Sequence, residues 1–364
     1  MPCPAGPSPN TIVLRTVQSY ISRMPDVISI EALRKVYPSA ATRRRSASSR
    51  GSGAPPAVPS TPPRVSAEGV VALDTLDLTV GGGEFFGLLG PNGAGKTTTI
   101  GILTTRVAPT AGRAFVAGHD VTQAPARVRQ HIGVVPQRPN PDRGLSTLEN
   151  LVFHAAYFGI AFDRAERHAY DLLNQLGIAD KADARVDALS GGQQQRLMIA
   201  RALIHEPAVV FLDEPTVGLD PQARRDLWAI LRDLHARGRT IVMTTHYMEE
   251  ADQLCERIAI VDRGRLLACD TPARLKASAP GGTLIDITLD GDAASAVAPA
   301  LAVAGVRRAE SHGTGLHAYS DRGGEAIPAL IAAAQGVGRT VTNIHLTSPS
   351  LESLFISMTG RKLD

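Results

Sequence analysis

Apolar runs and helical periodicities alternate along most of this chain. Phe85 to Leu89 is an unbroken apolar stretch that predicts a strand, and Thr98 to Leu103 predicts the start of a helix soon after it. Val209-Val210-Phe211-Leu212 is continuous too, as a buried parallel strand should be, and Thr240 to Thr245 predicts a second apolar strand. Val27-Ile28-Ser29-Ile30, Lys35-Val36-Tyr37 and Val70-Val71-Ala72-Leu73 read as further strands. From about Gln123 to Asp187 the pattern turns helical. Ser146-Thr147-Leu148-Glu149 fits a capping box, and Leu148, Leu151, Val152, Ala155 and Ala156 follow at helical spacing. Asp163 with Glu166 starts another helix through Leu176, and Leu197, Ala200, Leu203 and Ile204 mark one more.

Three regions depart from this rhythm. Residues 1–26 read as an N-terminal extension: Met1 to Asn10 is Pro-rich, and Met24-Pro25-Asp26 stands directly before the first strand, so Met24 is an alternative start. Ser39 to about Ala67 is rich in Ser, Pro, Ala and Arg with almost no large apolar residue, and is expected to be a disordered insertion. After Gly281, Leu284 to Leu289 partly alternates, two Ala-rich helical stretches follow, and Leu351, Leu354, Phe355 and Met358 close the chain on one helix face. The expected organisation is one large domain over 27–278, interrupted at 39–67, and a small α+β accessory domain over 281–364.

Composition narrows the classes. A chain of 364 residues with 43% hydrophobic and 20% charged residues suits such a folded pair of domains. A net charge of +3 is too small to argue for nucleic acid as a partner. Cys3, Cys255 and Cys269 form no C-x-x-C pair, which argues against a disulfide framework and a structural zinc. The longest weakly apolar run, Ala293 to Val306, contains Ser295 and Pro299 and falls short of the roughly twenty residues a spanning helix needs. If this protein works at a membrane, another chain must supply the spanning part.

The candidate chemistry begins at Gly90-Pro91-Asn92-Gly93-Ala94-Gly95-Lys96-Thr97-Thr98. The pattern G-x-x-x-x-G-K-[ST] turns successive backbone N–H groups toward a phosphate, lets Lys96 reach the β/γ-phosphates and sets Thr97 on Mg²⁺. A helix N-terminus behind the loop adds its dipole. A hundred residues on, Leu189-Ser190-Gly191-Gly192-Gln193-Gln194-Gln195-Arg196 puts Ser190 and two glycines at another helix start. Taken alone, Ser190 is an ordinary helix cap.

As an ordered set these segments resemble ABC-type ATPases over roughly Val27 to Ala268. The resemblance implies an α/β fold: a P-loop NTPase cassette with a RecA-like parallel-sheet core, an antiparallel β-subdomain and a helical subdomain. Asp213-Glu214 then looks like a Walker B pair, in which Asp213 holds Mg²⁺ and Glu214 orients or deprotonates the attacking water. Gln137 falls at the Q-loop, near Mg²⁺ and that water, and His246 at the switch histidine that contacts the γ-phosphate. Tyr37 takes the place of the aromatic that stacks on adenine. Gly218-Leu219-Asp220 resembles the D-loop that crosses to a partner subunit, and Ser190, Gly191, Gly192 and Gln193 belong to the signature that serves the opposite site. The metal set would be Thr97, Gln137 and Asp213. ATP and Mg²⁺ are the implied ligands, and the implied assembly is a homodimer, or a pair with another ABC subunit, across two ATP molecules. The ending Pro349-Ser350-Leu351-Glu352-Ser353-Leu354-Phe355, with Tyr247-Met248-Glu249-Glu250-Ala251, resembles daunorubicin-resistance-type export ATPases. That branch implies a peripheral subunit on the cytoplasmic face of the cell membrane, joined to a separately encoded permease and exporting a drug-like compound. Export of lipid, polysaccharide or ions, or a non-transport ATPase, are the alternatives.

Overall fold

The computed structural model describes residues 25–38, 64–66, 69–279 and 282–361. Most of the expected extension and insertion lies outside them. Contacts divide the chain into two units, one ending at Cys269 and one beginning at Asp270.

The first unit holds strands β1 (Ile28–Tyr37), β2 (Arg64–Ser66), β3 (Gly69–Val80), β4 (Phe85–Leu89), β5 (Ala111–Val116), β6 (His119–Asp120), β7 (Ile132–Val135), β8 (Val209–Asp213), β9 (Thr240–Thr245), β10 (Arg257–Asp262) and β11 (Arg265–Asp270). One sheet runs in the order β11-β10-β4-β9-β8-β7. Its β10–β4, β4–β9, β9–β8 and β8–β7 pairs are all parallel. Every residue of β4, β8 and β9 is buried, which is why their sequences are mostly apolar and do not alternate. Parallel neighbours end on the same edge, so whatever follows β4, β7, β8 and β9 is delivered to one place.

The other sheet runs β2-β3-β1-β5-β6, with β1 antiparallel to β3 from Ile28 opposite Val80 to Tyr37 opposite Val70. The expectation of disorder through 67 needs correction here: Arg64, Val65 and Ser66 pair with Val71, Val70 and Gly69. An edge strand this short is held by backbone hydrogen bonds and needs no apolar side-chain pattern to announce it.

Helices Thr147–Tyr157, Phe162–Gln175 and Gly191–Leu203 contact one another, forming the expected helical part. The Ser146 box is made: its Oγ accepts from Glu149 N at 3.1 Å, and Glu149 Oε2 accepts from Ser146 N at 2.7 Å. Asp163 sits inside the first turn of its helix, which Ala161 begins without a side-chain cap.

The second unit contains β12 (Thr283–Leu289), β13 (Val306–His312), β14 (Gly315–Ser320) and β15 (Val341–Thr347), all antiparallel in the order β13-β14-β12-β15. Helices Val297–Leu301 and Ile327–Gly336 fall after β12 and after β14, giving the β-α-β-β-α-β order of a ferredoxin-like fold. Ile285, Ile287 and Leu289 alternate into a core with Leu316, Ala318, Leu330 and Ala334. The unit begins before the 278–281 break expected from the sequence, because helix Pro272–Ala277 contacts the closing helix Leu351–Thr359. Leu351, Leu354 and Phe355 of that helix are buried, whereas Met358 stays exposed. No helix among the described residues is long and apolar enough to cross a membrane.

Candidate functional site

The phosphate-loop candidate leaves the end of β4 and enters helix Lys96–Leu103. Gly95 caps that helix at φ 105°, a left-handed conformation that favours glycine, and a Cβ there would come 2.6 Å from the Ala72 carbonyl of β3. A Cβ on Gly90 would lie 2.2 Å from the Val261 carbonyl. The turn after β10 supports the loop from outside, with Gly264 N donating to Ala94 O at 2.9 Å. Both glycines are therefore required by close backbone approach.

Lys96 is 4% exposed and its Nζ lies inside the loop, donating to Gly90 O at 2.6 Å and Pro91 O at 3.2 Å. It also pairs with Glu214 Oε1 at 3.2 Å. Gln137, just past β7, donates from Nε2 to Glu214 Oε2 at 3.1 Å. His246, just past β9, brings Nδ1 to 3.3 Å from Glu214 Oε1. Asp213 Oδ1, at the end of β8, accepts from Thr97 Oγ1 at 3.3 Å and Thr244 Oγ1 at 2.6 Å. The structure thus brings Lys96, Thr97, Gln137, Asp213, Glu214 and His246 to one edge of the sheet.

Burial dominates their electrostatics. It lowers Lys96 against the attraction of Glu214 and Asp213. It raises Asp213, helped by the like charge of Glu214 and opposed by the Thr244 and Thr97 hydroxyls. Burial would raise Glu214 as well, but His246 and Lys96 outweigh it and hold that carboxyl below its usual value. Glu214 itself has φ 50°, which re-aims its side chain as the strand ends.

Thr244 is the residue that sequence reasoning missed. Its hydroxyl donates to the Asp213 carboxylate and accepts the Glu214 backbone N–H at 3.0 Å, so it orients the one carboxylate and pins the backbone of the other residue. A threonine near the end of a buried, mostly apolar strand was the available signal, because a buried hydroxyl needs partners.

Tyr37 ends β1 with its ring 5.0 Å from Lys35 Nζ, on the sheet whose β3 also touches the phosphate loop through Ala72. Asn92, Gly93 and Thr97 are exposed, leaving the loop open to a ligand. Thr97 and Asp213 offer hard oxygen donors side by side, a set that fits Mg²⁺, which usually takes one or two carboxylates plus substrate phosphates. Among the described residues no group of three or more His, Cys, Asp or Glu could hold a metal alone.

The remaining candidates gather elsewhere. Ser190, Gly191, Gly192, Gln193 and Asp220 line a separate open groove of about 470 Å³, to which none of the Lys96–Glu214 cluster contributes. Ser190 Oγ accepts from Gln193 N at 3.3 Å while Gln193 Oε1 accepts from Ser190 N at 2.9 Å, a capping box. Asp220 Oδ1 accepts from Gln222 N and Ala223 N, both at 2.9 Å, capping helix Pro221–Ala236. One chain therefore carries two separate groups of candidate residues.

The family described as ABC transporter matches residues 73–217. The chain is similar to the daunorubicin/doxorubicin resistance ATP-binding protein DrrA of Streptomyces peucetius, 40% identical over 81% of this chain and 90% of that protein. It is equally similar to the Nod factor export ATP-binding protein I of Cupriavidus metallidurans, 40% identical over 80% of this chain and 94% of that protein. Among solved structures it resembles the dimeric bacterial ABC transporter cassette MJ0796, at a TM-score of 0.56, 25% identity, and coverage of 67% and 98%. In fold it also resembles cbiO1 of Clostridium perfringens, at a TM-score of 0.58, 24% identity, and coverage of 70% and 92%.

Proposed function

This chain belongs to the ATP-binding subunits of ABC transporters, and we propose that Lys96, Gln137, Asp213, Glu214 and His246 form its hydrolytic half-site. It is the ATPase subunit of an export system. The observation that carries the site reading is Glu214, held at once by Lys96, Gln137 and His246. Its lowered pKa keeps it ionised at neutral pH, which suits a carboxylate that aligns a water more than one that stores its proton. A phosphate entering the loop competes for Lys96, because the amine then has an anion to meet in place of loop carbonyls and Glu214. Glu214 would thereby lose one of its three partners when nucleotide is present. Thr97 and Asp213, with Gln137 beside them, would hold Mg²⁺, which supplies charge neutralisation on the phosphates.

Gly90 to Thr98 would cradle the phosphates and Tyr37 would stack on the base. Ser190, Gly191, Gly192, Gln193 and Asp220 would complete the site of a second subunit, a reading supported by their separation from Lys96 and by the dimeric cassette that this chain resembles. The dimer would sit on a separately encoded permease at the cytoplasmic face of the membrane. A drug-like cargo follows the resistance relatives, and the Nod factor relatives at the same identity support a second cargo reading.

Glu214→Gln tests the site. ATP binding should persist while hydrolysis falls by about two orders of magnitude or more, within the range for loss of such a group. Hydrolysis in Glu214→Gln equal to that of the unaltered chain, with Lys96→Ala inactive alongside, would refute the assignment.

A further inference from the structure

The switch histidine candidate is not held by the strand alone. The ring centroids of His246 and Tyr247 lie 4.1 Å apart at 42°, and Arg224 Cζ lies 4.6 Å from the centre of the Tyr247 ring. Arg224 stands in the first turn after Asp220, with its N–H donating to Asp220 O at 3.0 Å. Beyond this stack, Glu250 is wholly buried and accepts from Trp228 Nε1 at 3.2 Å, tying helix Met248–Leu254, which Tyr247 precedes, to helix Pro221–Ala236. Arg224 Nε is buried without a hydrogen-bond partner among the described residues, and its guanidinium meets the Tyr247 ring face and the charge of Glu250.

We propose that Arg224 and Tyr247 are positioning residues that transmit the placement of the Asp220 loop to the ring of His246. Asp220 lines the groove of the second half-site, whereas His246 faces Glu214 in the first. The first helical turn from Asp220 to Arg224, followed by the stacked side chains, thus forms a short route from one half-site to the other within a chain. Tyr247 is fixed at its backbone too, its N–H donating to Thr245 Oγ1 at 2.9 Å, so tilting its ring moves the imidazole and not the strand. Arg224 turns with helix Pro221–Ala236, and a shift of that helix end re-aims Tyr247 through the ring face.

The inference rests on the hydrolytic role of His246, and the test separates the two. Single-turnover hydrolysis and ATP titration would be run on the full chain for Tyr247→Leu, Tyr247→Phe, Arg224→Gln, the Tyr247→Leu/Arg224→Gln double variant and His246→Ala. Tyr247→Leu and Arg224→Gln should each slow hydrolysis by about tenfold, with ATP affinity within about twofold, because small misplacements cost rate more than binding. Tyr247→Phe, which keeps the ring, should restore the rate. The double variant should be no slower than either single one, the signature of a shared path. Tyr247→Leu at full rate while His246→Ala is inactive overturns the inference, as do multiplicative losses in the double variant or a loss confined to ATP affinity. Full activity in His246→Ala instead overturns the role of His246 itself. Should Tyr247→Leu fail to fold, Arg224→Gln and Tyr247→Phe decide the matter.

Discussion

Single residues here show how burial converts local chemistry into pH dependence. His205 stacks on Phe158 with centroids 3.8 Å apart, and its Nε2 donates to Ile132 O at 2.9 Å. Burial lowers its pKa from 6.5 to about 4, reinforced by Arg239 and His131 against the Ile132 hydrogen bond. Burial does the same to His154, with Arg201 and His205 adding to it, again to about 4. Both rings stay neutral in the fold through a range where the unfolded chain takes up protons. Their stabilisation is therefore complete above 6.5 and declines as pH falls from 6.5 toward 4. Melting temperature should drop across that window. His154→Phe, which keeps the ring beside Phe158 and removes the proton site, should flatten the slope. Equal slopes in the two proteins would show that His154 is not responsible. None of this was legible in the sequence, where a histidine in a helical stretch gives no sign of what covers it. Lys96 and Glu214 were legible, because their motifs fix residue type at fixed spacing.

At the scale of elements, one residue can serve both a helix and a ligand. Ser190 caps helix Gly191–Leu203 and also lines the groove expected to meet a phosphate. Ser190→Ala removes the cap and should cost about 1 kcal/mol of stability. Ser190→Asp keeps a capping oxygen and puts negative charge at a helix N-terminus, so stability should hold. Its charge would repel a phosphate, so ATP hydrolysis should fall. Thermal melts and hydrolysis rates on the pair separate the two roles, and an active Ser190→Asp would leave Ser190 as a cap only. The capping boxes at Ser146 and Ser190 could be expected from sequence because both partners sit within four positions. The strand Arg64–Ser66 could not be, since its partners lie on another strand and its side chains carry no pattern.

For the whole molecule, every residue assigned to hydrolysis lies before Asp270, in the first unit. Truncation after Cys269 should then leave nucleotide affinity unchanged while weakening dimerisation or recovery of a membrane subunit by pull-down. Loss of affinity with assembly intact would show that labour is divided otherwise. The sequence by itself determined the buried strands, since a strand covered on both faces must be apolar throughout, and the phosphate loop, since its turn demands glycines at set intervals. It also carried the order of motifs by which the family is known. Only the tertiary structure decided that Gln137 and Glu214, 77 positions apart, share a hydrogen bond, and that Thr244 holds the Asp213 carboxylate. It alone separated the Ser190 groove from Lys96, joined Arg224 to His246 through Tyr247, and arranged residues 283–347 as a β-α-β-β-α-β unit. The physical reason is common to all of these. Burial and capping act over a few neighbouring positions and leave a local pattern, whereas strand order is settled by which distant segments pair, and no local pattern records that choice.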